Sequence, residues 1–408
     1  MALGDVIINN FTVGSLNFND PKQIMLSGFK VHETIMSATG PTADARVIDF
    51  QDAIGKSRFD GTQDVNISFT YADEGQTASF KLTSYQNTNI RDHSEAGDYV
   101  AGSGGAMHHK QADARFVAPE HIAVTGNPIS KSYYTNCEQI ITDVLQNYFR
   151  TNKSILTPSP TEGPKRLIAN QEPPLSFVDK VKDESVSSTD ESSLYFLYAT
   201  RMGGSEAYVY ETIESMCRRS SGVVLTQRTT LATAGSTDSE KRNQIISFTP
   251  SRAFYKPPRA NLKMVPKTYN MATGILTLGR LNSAEPALLG TPVGDANKEN
   301  IEIPYYTNND PSNNLQKNRV GDARANRGRY IAAFMENVSY ATVVGNPSIK
   351  VGHTVYLNIP KKVSEPGGFE PQLNGAFLVS GITHIIRPIT ATPRYIMELE
   401  LIKGAFNS

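Results

Sequence analysis

The sequence predicts a mainly β protein of the α+β class, divided into several small domains. Three observations carry this. Many short segments alternate strictly between apolar and polar residues, the period of a half-buried strand. Two segments, both between residues 129 and 215, repeat at helical spacing instead. The chain is 408 residues long, more than a single hydrophobic core ordinarily organises, so two to four domains are expected.

Strands come first along the chain. Ile7-Ile8, and then Met25 to Ile35 around Gly28, read as extended segments. Val65, Ile67, Phe69 and Tyr71 alternate with Asn66, Ser68 and Thr70. Asp73 to Gln76 supplies a polar turn and Phe80 to Thr83 resumes the alternation, so residues 64 to 85 read as a hairpin. Runs of this kind, separated by turn residues, predict a small barrel or sandwich. Residues 94 to 112 hold Gly97, Gly102, Gly104 and Gly105 among Ser, Ala and the pair His108-His109, and are expected to form a mobile loop. A short strand from Arg115 to Pro119 follows.

The middle of the chain changes period. Thr135 and Glu138 have the spacing of a capping box. Cys137, Ile140, Ile141, Val144, Leu145 and Tyr148 then fall on one helical face. Pro174 opens a second helix, with Leu175 and Val178 expected on its buried side. Leu194 to Tyr198, the turn at Gly203-Gly204, and Ala207 to Tyr210 read as a hairpin. Together these make an α/β module of about a hundred residues.

Beyond it, residues 229 to 243 read as an exposed Thr/Ser-rich loop, near strand candidates Ile245 to Phe248 and Gly274 to Leu278. Residues 282 to 322 are rich in Asn, Pro, Asp and Gly and predict a long irregular excursion. The chain closes on strands at Ala341 to Val344, Thr354 to Ile359, Ala376 to Ile386 and Arg394 to Ile402. Tyr395, Met397, Leu399 and Leu401 share one face of the last.

Composition excludes several function classes. Forty basic and forty acidic residues cancel, which removes the electrostatic case for nucleic-acid binding as the main task. Arg324, Arg327 and Arg329 read as a solvated face. Two cysteines, Cys137 and Cys217, are too few for a disulfide framework or a zinc site and are expected to act as small buried apolar groups. The absence of Trp argues against a carbohydrate-stacking module. No apolar run is long enough to cross a bilayer, and Met1 to Phe11 carries no signal-type segment, so the chain is expected to be made in a cytoplasm and not to insert in a membrane.

Catalytic spacings are missing. There is no GxSxG elbow, HExxH, P-loop, or GxGxxG after a strand. Ser103 between glycines lacks a strand–turn–helix context. His108-His109 has no third ligand at a metal-binding spacing. His32, His353 and His384 lie in or beside strands and read as partly buried polar residues. No catalytic, cofactor-binding or metal-binding residue is therefore assigned, although scattered carboxylates leave a paired-carboxylate hydrolase open.

Four stretches together resemble the baseplate hub proteins of contractile-tailed phages and related contractile injection systems. Arg58 to Phe69, followed by Phe80 to Tyr85, is similar to their small-domain hairpin. Ala114 to Glu120, then Ile129 to Tyr133 and a helix, resembles their strand-to-helix passage. Asn170, the helix opening at Pro173-Pro174, and the hairpin ending Ala207 to Thr212 form the third. Val344 to Val355, with Gly345, Asn346 and Gly352, resembles the entry to the family's second barrel, and Gly375 to His384 its following strand. The family often has Asp where this chain has His353, and the excursion at 282 to 322 has no counterpart.

The resemblance implies two small tube-type β-barrel domains, an inserted α/β module and the irregular excursion. The expected division is 1–128 for the first barrel, 129–215 for the module, 216–260 with 330–408 for the second barrel, and 261–329 as irregular insertion. It further implies a non-enzymatic homotrimer whose ring of six barrels joins a threefold central spike to a sixfold tail tube. Expected partners are the spike, tail-tube or tube-initiator proteins, and baseplate wedge and tape-measure proteins. DNA or an effector would pass through the channel without specific binding, and no cofactor is implied. The expected place is the virion tail baseplate, assembled in the host cytoplasm. Rival readings are a tail-tube or adaptor subunit, a phage-associated cell-wall or glycan hydrolase, and a receptor- or glycan-binding protein.

Overall fold

The computed structural model describes residues 6–20, 24–49, 62–71, 77–94, 108–189, 193–202, 205–227, 243–250, 263–270, 276–278, 300–307, 338–360, 373–387 and 395–403. The structure is mostly β. Its first part comprises β1 (Val6–Val13), β2 (Leu16–Asn17), β3 (Ile24–Thr34), β4 (Thr42–Asp49), β5 (Asp64–Tyr71), β6 (Thr77–Ser94) and β7 (His108–Val117). The expected hairpin is β5–β6: Val65 faces Leu82, Ile67 faces Phe80 and Phe69 faces Ala78. All six are buried. A slip of one residue would turn this apolar set outward, so the pattern fixes the register.

These strands run in the order β3-β4-β7-β6-β5-β1-β2. The sheet curls until its ends meet inside. Phe11 on β1 lies 5.3 Å from Phe29 on β3, ring centre to ring centre, and 5.8 Å from Phe116 on β7. Phe69 adds a further edge contact to Phe29. Such rings fill the interior and favour tilted contacts over flat sandwiches.

Next comes the segment α1 (Pro119–Ala123), β8 (Ile129–Thr135), α2 (Cys137–Asn147), β9 (Ser154–Leu156), β10 (Lys165–Glu172), α3 (Pro174–Glu184), β11 (Tyr195–Met202), β12 (Ser205–Thr212) and α4 (Ile213–Arg218). The predicted stripe of α2 is present: Cys137, Ile140, Ile141, Val144 and Leu145 are wholly buried. They pack with Phe177, Val178 and Val181 of α3 in a core separate from that of the large β-sheet.

The chain then forms β13 (Ser220–Gln227), β14 (Gln244–Thr249), β15 (Lys263–Asn270), β16 (Leu276–Leu278), β17 (Asn300–Thr307), β18 (Val338–Val344), β19 (Thr354–Asn358), β20 (Gly375–Ile386) and β21 (Tyr395–Ile402). Six of these close on themselves in the order β19-β13-β14-β18-β21-β20, with β20 pairing back to β19. Closure removes the sheet edges that would otherwise invite aggregation. β20 also joins the two halves. Its first residues, Gly375 to Leu378, pair with β19, while Gly381 to Ile386 pair with β3. The change of partner coincides with a register shift between Val379 and Gly381. A Cβ at Gly381 would lie 2.7 Å from a carboxylate oxygen of Glu400, so a larger residue there would displace the Glu400 side chain.

Several expectations are corrected. The capping box does not form. Thr135 stays in β8 opposite Lys165, and Asn136 takes the cap position. Glu138 turns instead to Thr161, whose backbone N–H it accepts at 3.2 Å. Leu175 is exposed on α3, and Phe177, Val178 and Val181 form the buried side. Of the expected loop at 94 to 112, Ser94 ends β6 and residues 108 to 112 belong to β7, with His108 paired to Ser94; the residues between lie outside the described ones. The segment 261–329 is not wholly irregular: β15 pairs antiparallel with β16 and parallel with β17, forming a separate three-stranded sheet. The turns at Asp73 to Gln76 and Gly203-Gly204, Ser103, the loop at 229 to 242, and Arg324, Arg327 and Arg329 lie outside the described residues.

Candidate functional site

The chemically dense part of the molecule is the seam where the α/β module meets the two β halves. Its centre is Glu33, on β3. A carboxylate buried without partners would be prohibitively unstable, so the local sequence must bring compensation. Arg201 on β11 supplies it at 3.3 Å, and His384 on β20 at 2.9 Å. His384 in turn lies 2.7 Å from the hydroxyl of Tyr395 on β21. All four are buried. One cluster thus ties together both β halves and the module.

Charge states follow from the geometry. Burial alone would push the Glu33 carboxyl up, but the Arg201 guanidinium and the His384 hydrogen bond overcome it and hold the pKa at about 2. Burial, reinforced by Arg201, pushes His384 below its ordinary value despite the upward pull of Glu33, so the ring is neutral. An ionised Glu33 must be met by a donor. His384 therefore carries its proton on Nε2, facing Glu33, and its Nδ1 accepts from the Tyr395 hydroxyl.

Two flanking clusters complete the seam. Lys153, before β9, lies 3.0 Å from Glu120 on α1 and 2.8 Å from Glu206 on β12. Thr151 donates to the second Glu120 oxygen at 2.7 Å. On the other side, the wholly buried Glu211 accepts from Tyr198 at 2.6 Å, from Ser215 at 2.7 Å and from Arg219 at 2.6 Å. The Tyr198 hydroxyl fills the space that a side chain at residue 352 would need: a Cβ on Gly352 would lie 2.1 Å from it. Gly352 also has φ +77, a left-handed conformation that favours glycine. The resemblance motif at Val344 to Val355 is thus the turn on which the module rests.

The remaining sequence candidates separate. His353 is half-buried beside Arg219 and Lys350; burial and these two cations lower its pKa to about 4. His32 is 3.1 Å from the Thr383 hydroxyl on the outer face. The backbones of His108 and His109 lie in β7, while their imidazoles lie outside the described residues. Cys137 is buried and its thiol is pushed up to about 11 by burial; Cys217 is part-buried and shifted upward by burial too. Among the described residues no group of three or more His, Cys, Asp or Glu is placed to hold a metal ion, and no helix is long and apolar enough to cross a membrane. Sequence reasoning missed the Glu33–His384–Arg201 cluster. Its only advance signal was charged residues placed on the apolar phase of strands, as Glu33 follows Val31 and precedes Ile35.

An outward-facing groove lies where β20 parts from β3. It is lined by Ser27, Lys30, Asp44, Arg46, Asp113 and Arg387, among others. Arg46 and Asp113, opposite each other on β4 and β7, are paired at 2.9 Å. Its open lining of three basic and two acidic residues suits contact with a polar surface better than enclosure of a small molecule.

No family model and no curated protein sequence matches the chain. Solved structures do. The fold is similar to that of the 43 kDa tail protein of prophage MuSo2 from Shewanella oneidensis, with a TM-score of 0.57, 10% identity, and coverage of 98% of this chain and 99% of that one. It is also similar to a tail protein from Neisseria meningitidis MC58, with a TM-score of 0.56, 7% identity and 98% coverage of both chains. The chain therefore shares the fold of these two tail proteins over 98% of its length.

Proposed function

We propose that this chain is the structural hub subunit of a contractile tail baseplate. Three copies form a ring of six barrels that joins a threefold central spike to a sixfold tail tube and surrounds the channel for DNA or an effector. The observation that supports this best is the pairing of β20: one strand links a closed six-stranded barrel to a second curled sheet. Two barrel-like units per chain, held rigidly by a shared strand, convert threefold symmetry into six similar positions. The division proposed is 1–128 and 216–260 with 330–408 for the two barrels, 129–215 for the module, and 261–329 as an insertion.

The reading is of a non-catalytic protein. The seam holds its ionisable groups in paired, buried form, which is how such groups serve as struts. The partners proposed are the spike, the tail-tube or tube-initiator proteins, and the wedge and tape-measure proteins, at the virion baseplate after assembly in the host cytoplasm. The test is to mix the purified chain with the spike and tube-initiator proteins encoded beside it and image the product by electron microscopy. A ring with six barrel densities around a channel is expected. A product without the chain, or with it outside the ring, would remove the hub reading.

A further inference from the structure

The parallel pairing of β9 with β12 sets Ser154 beside Ala207. One step earlier in that register stand Lys153 and Glu206, and their side chains meet: Nζ lies 2.8 Å from a Glu206 carboxyl oxygen. The same Nζ lies 3.0 Å from Glu120 of α1. The side chains of Lys153, Glu206 and Glu120 are only 12%, 9% and 4% exposed, so little water competes for them. The buried Tyr208 ring flanks the amine, its centre 5.6 Å from Nζ.

The two carboxyls differ. Glu120 is engaged at both oxygens: Thr151 donates to one at 2.7 Å and Lys153 to the other at 3.0 Å. Both Glu206 oxygens are buried and neither accepts a hydrogen bond, so Lys153 touches this carboxyl outside hydrogen-bond geometry. A carboxylate buried in that way is costly, which favours the protonated acid. Burial pushes Glu206 above its ordinary value against the pull of Lys153. Burial also acts to lower Lys153, but Glu206 and Glu120 outweigh it and keep the resting amine as the ammonium. An amine, an acid and a base are thus in contact in a nearly dry place.

We propose that Lys153 and Glu206 condense to an amide within the folded chain, with Glu120 as the base. Glu120 takes one proton from the Lys153 ammonium and keeps it. The freed Nζ lone pair attacks Cδ of the protonated Glu206. The Nζ–Cδ bond forms, a second Nζ proton passes to the Glu206 hydroxyl, and that hydroxyl leaves as water. No oxidant, reductant or outside reactant is needed. The product pins the three-residue strand β9 to β12 by a covalent bond, whatever assembly the chain enters.

Intact mass spectrometry of the denatured full-length chain tests this. A mass one water below that of the sequence is expected. Trypsin should then release a branched peptide joining residues 151–165, uncut at Lys153, to residues 202–218. Full mass, with normal cleavage at Lys153, would overturn the proposal. Lys153→Arg keeps the charge and should restore the full mass. If that variant were still one water light, the loss would lie elsewhere and the proposal would fall. Glu120→Gln, with its fold checked by circular dichroism, should also show the full mass. A branched peptide from that variant would overturn the role given to Glu120.

Discussion

Glu33 shows how a single residue can decide whether two parts of a chain stay together. Its carboxylate is 3% exposed, so its stability depends on Arg201 and His384 rather than on water. Replacing Arg201 with Met should destabilise the protein by about 3–5 kcal/mol, measured by denaturant unfolding, because it leaves a buried charge without its counter-ion. The pH dependence has a definite sign. Glu33 has a pKa near 2 in the fold against 4.5 in an unfolded chain, so its contribution is complete above pH 4.5 and is lost as pH falls toward 2. Thermal unfolding across that window should show a steeper acid decline for the parent than for Glu33→Gln. None of this was legible in the sequence. His384 and Glu33 are 351 positions apart, and nothing local marks them as partners. Gly352 is different, since it lies in the stretch, Val344 to Val355, that the resemblance marked as the entry to a barrel. Gly352→Ala should cost more than about 1 kcal/mol from its φ alone, with the overlap on Tyr198 added.

At the scale of elements, periodicity found most of the structure. The β5–β6 hairpin, the α2 stripe and the buried face of β21 follow the residue pattern directly, because each buries one face against a single partner. The pattern failed where tertiary contact overrides local preference. Glu138 leaves the capping box for Thr161, and Leu175 stays in solvent because Phe177, Val178 and Val181 already supply the face that meets α2. This gives a paired prediction. Ile141→Ala should destabilise the protein by about 2–5 kcal/mol, as expected for a buried aliphatic truncation, while Leu175→Ala should change it by less than about 0.5 kcal/mol. Equal effects would contradict the assignment of faces. β16 falls within the strand candidate Gly274 to Leu278, but β15 and β17 escaped notice because the Asn- and Pro-rich composition of their surroundings masks short strands, and their parallel pairing bridges a long intervening segment.

The whole molecule is organised by β20, which belongs to both β halves. A strand shared in this way couples their unfolding, so neither half should melt alone. A proline at Ile382, where β20 pairs with both β3 and β21, should abolish folding of both halves together. Coupling of this kind suits a subunit that must hold two barrels in fixed relation while neighbours pull on it. The central claim is that three such chains close into one ring. Light scattering on the purified protein, alone and with its spike partner, tests it most directly. A mass of three times 44.7 kDa, or a monomer that becomes a trimer on the spike, is the expected result. A monomer that ignores the spike at every concentration tried would contradict the account.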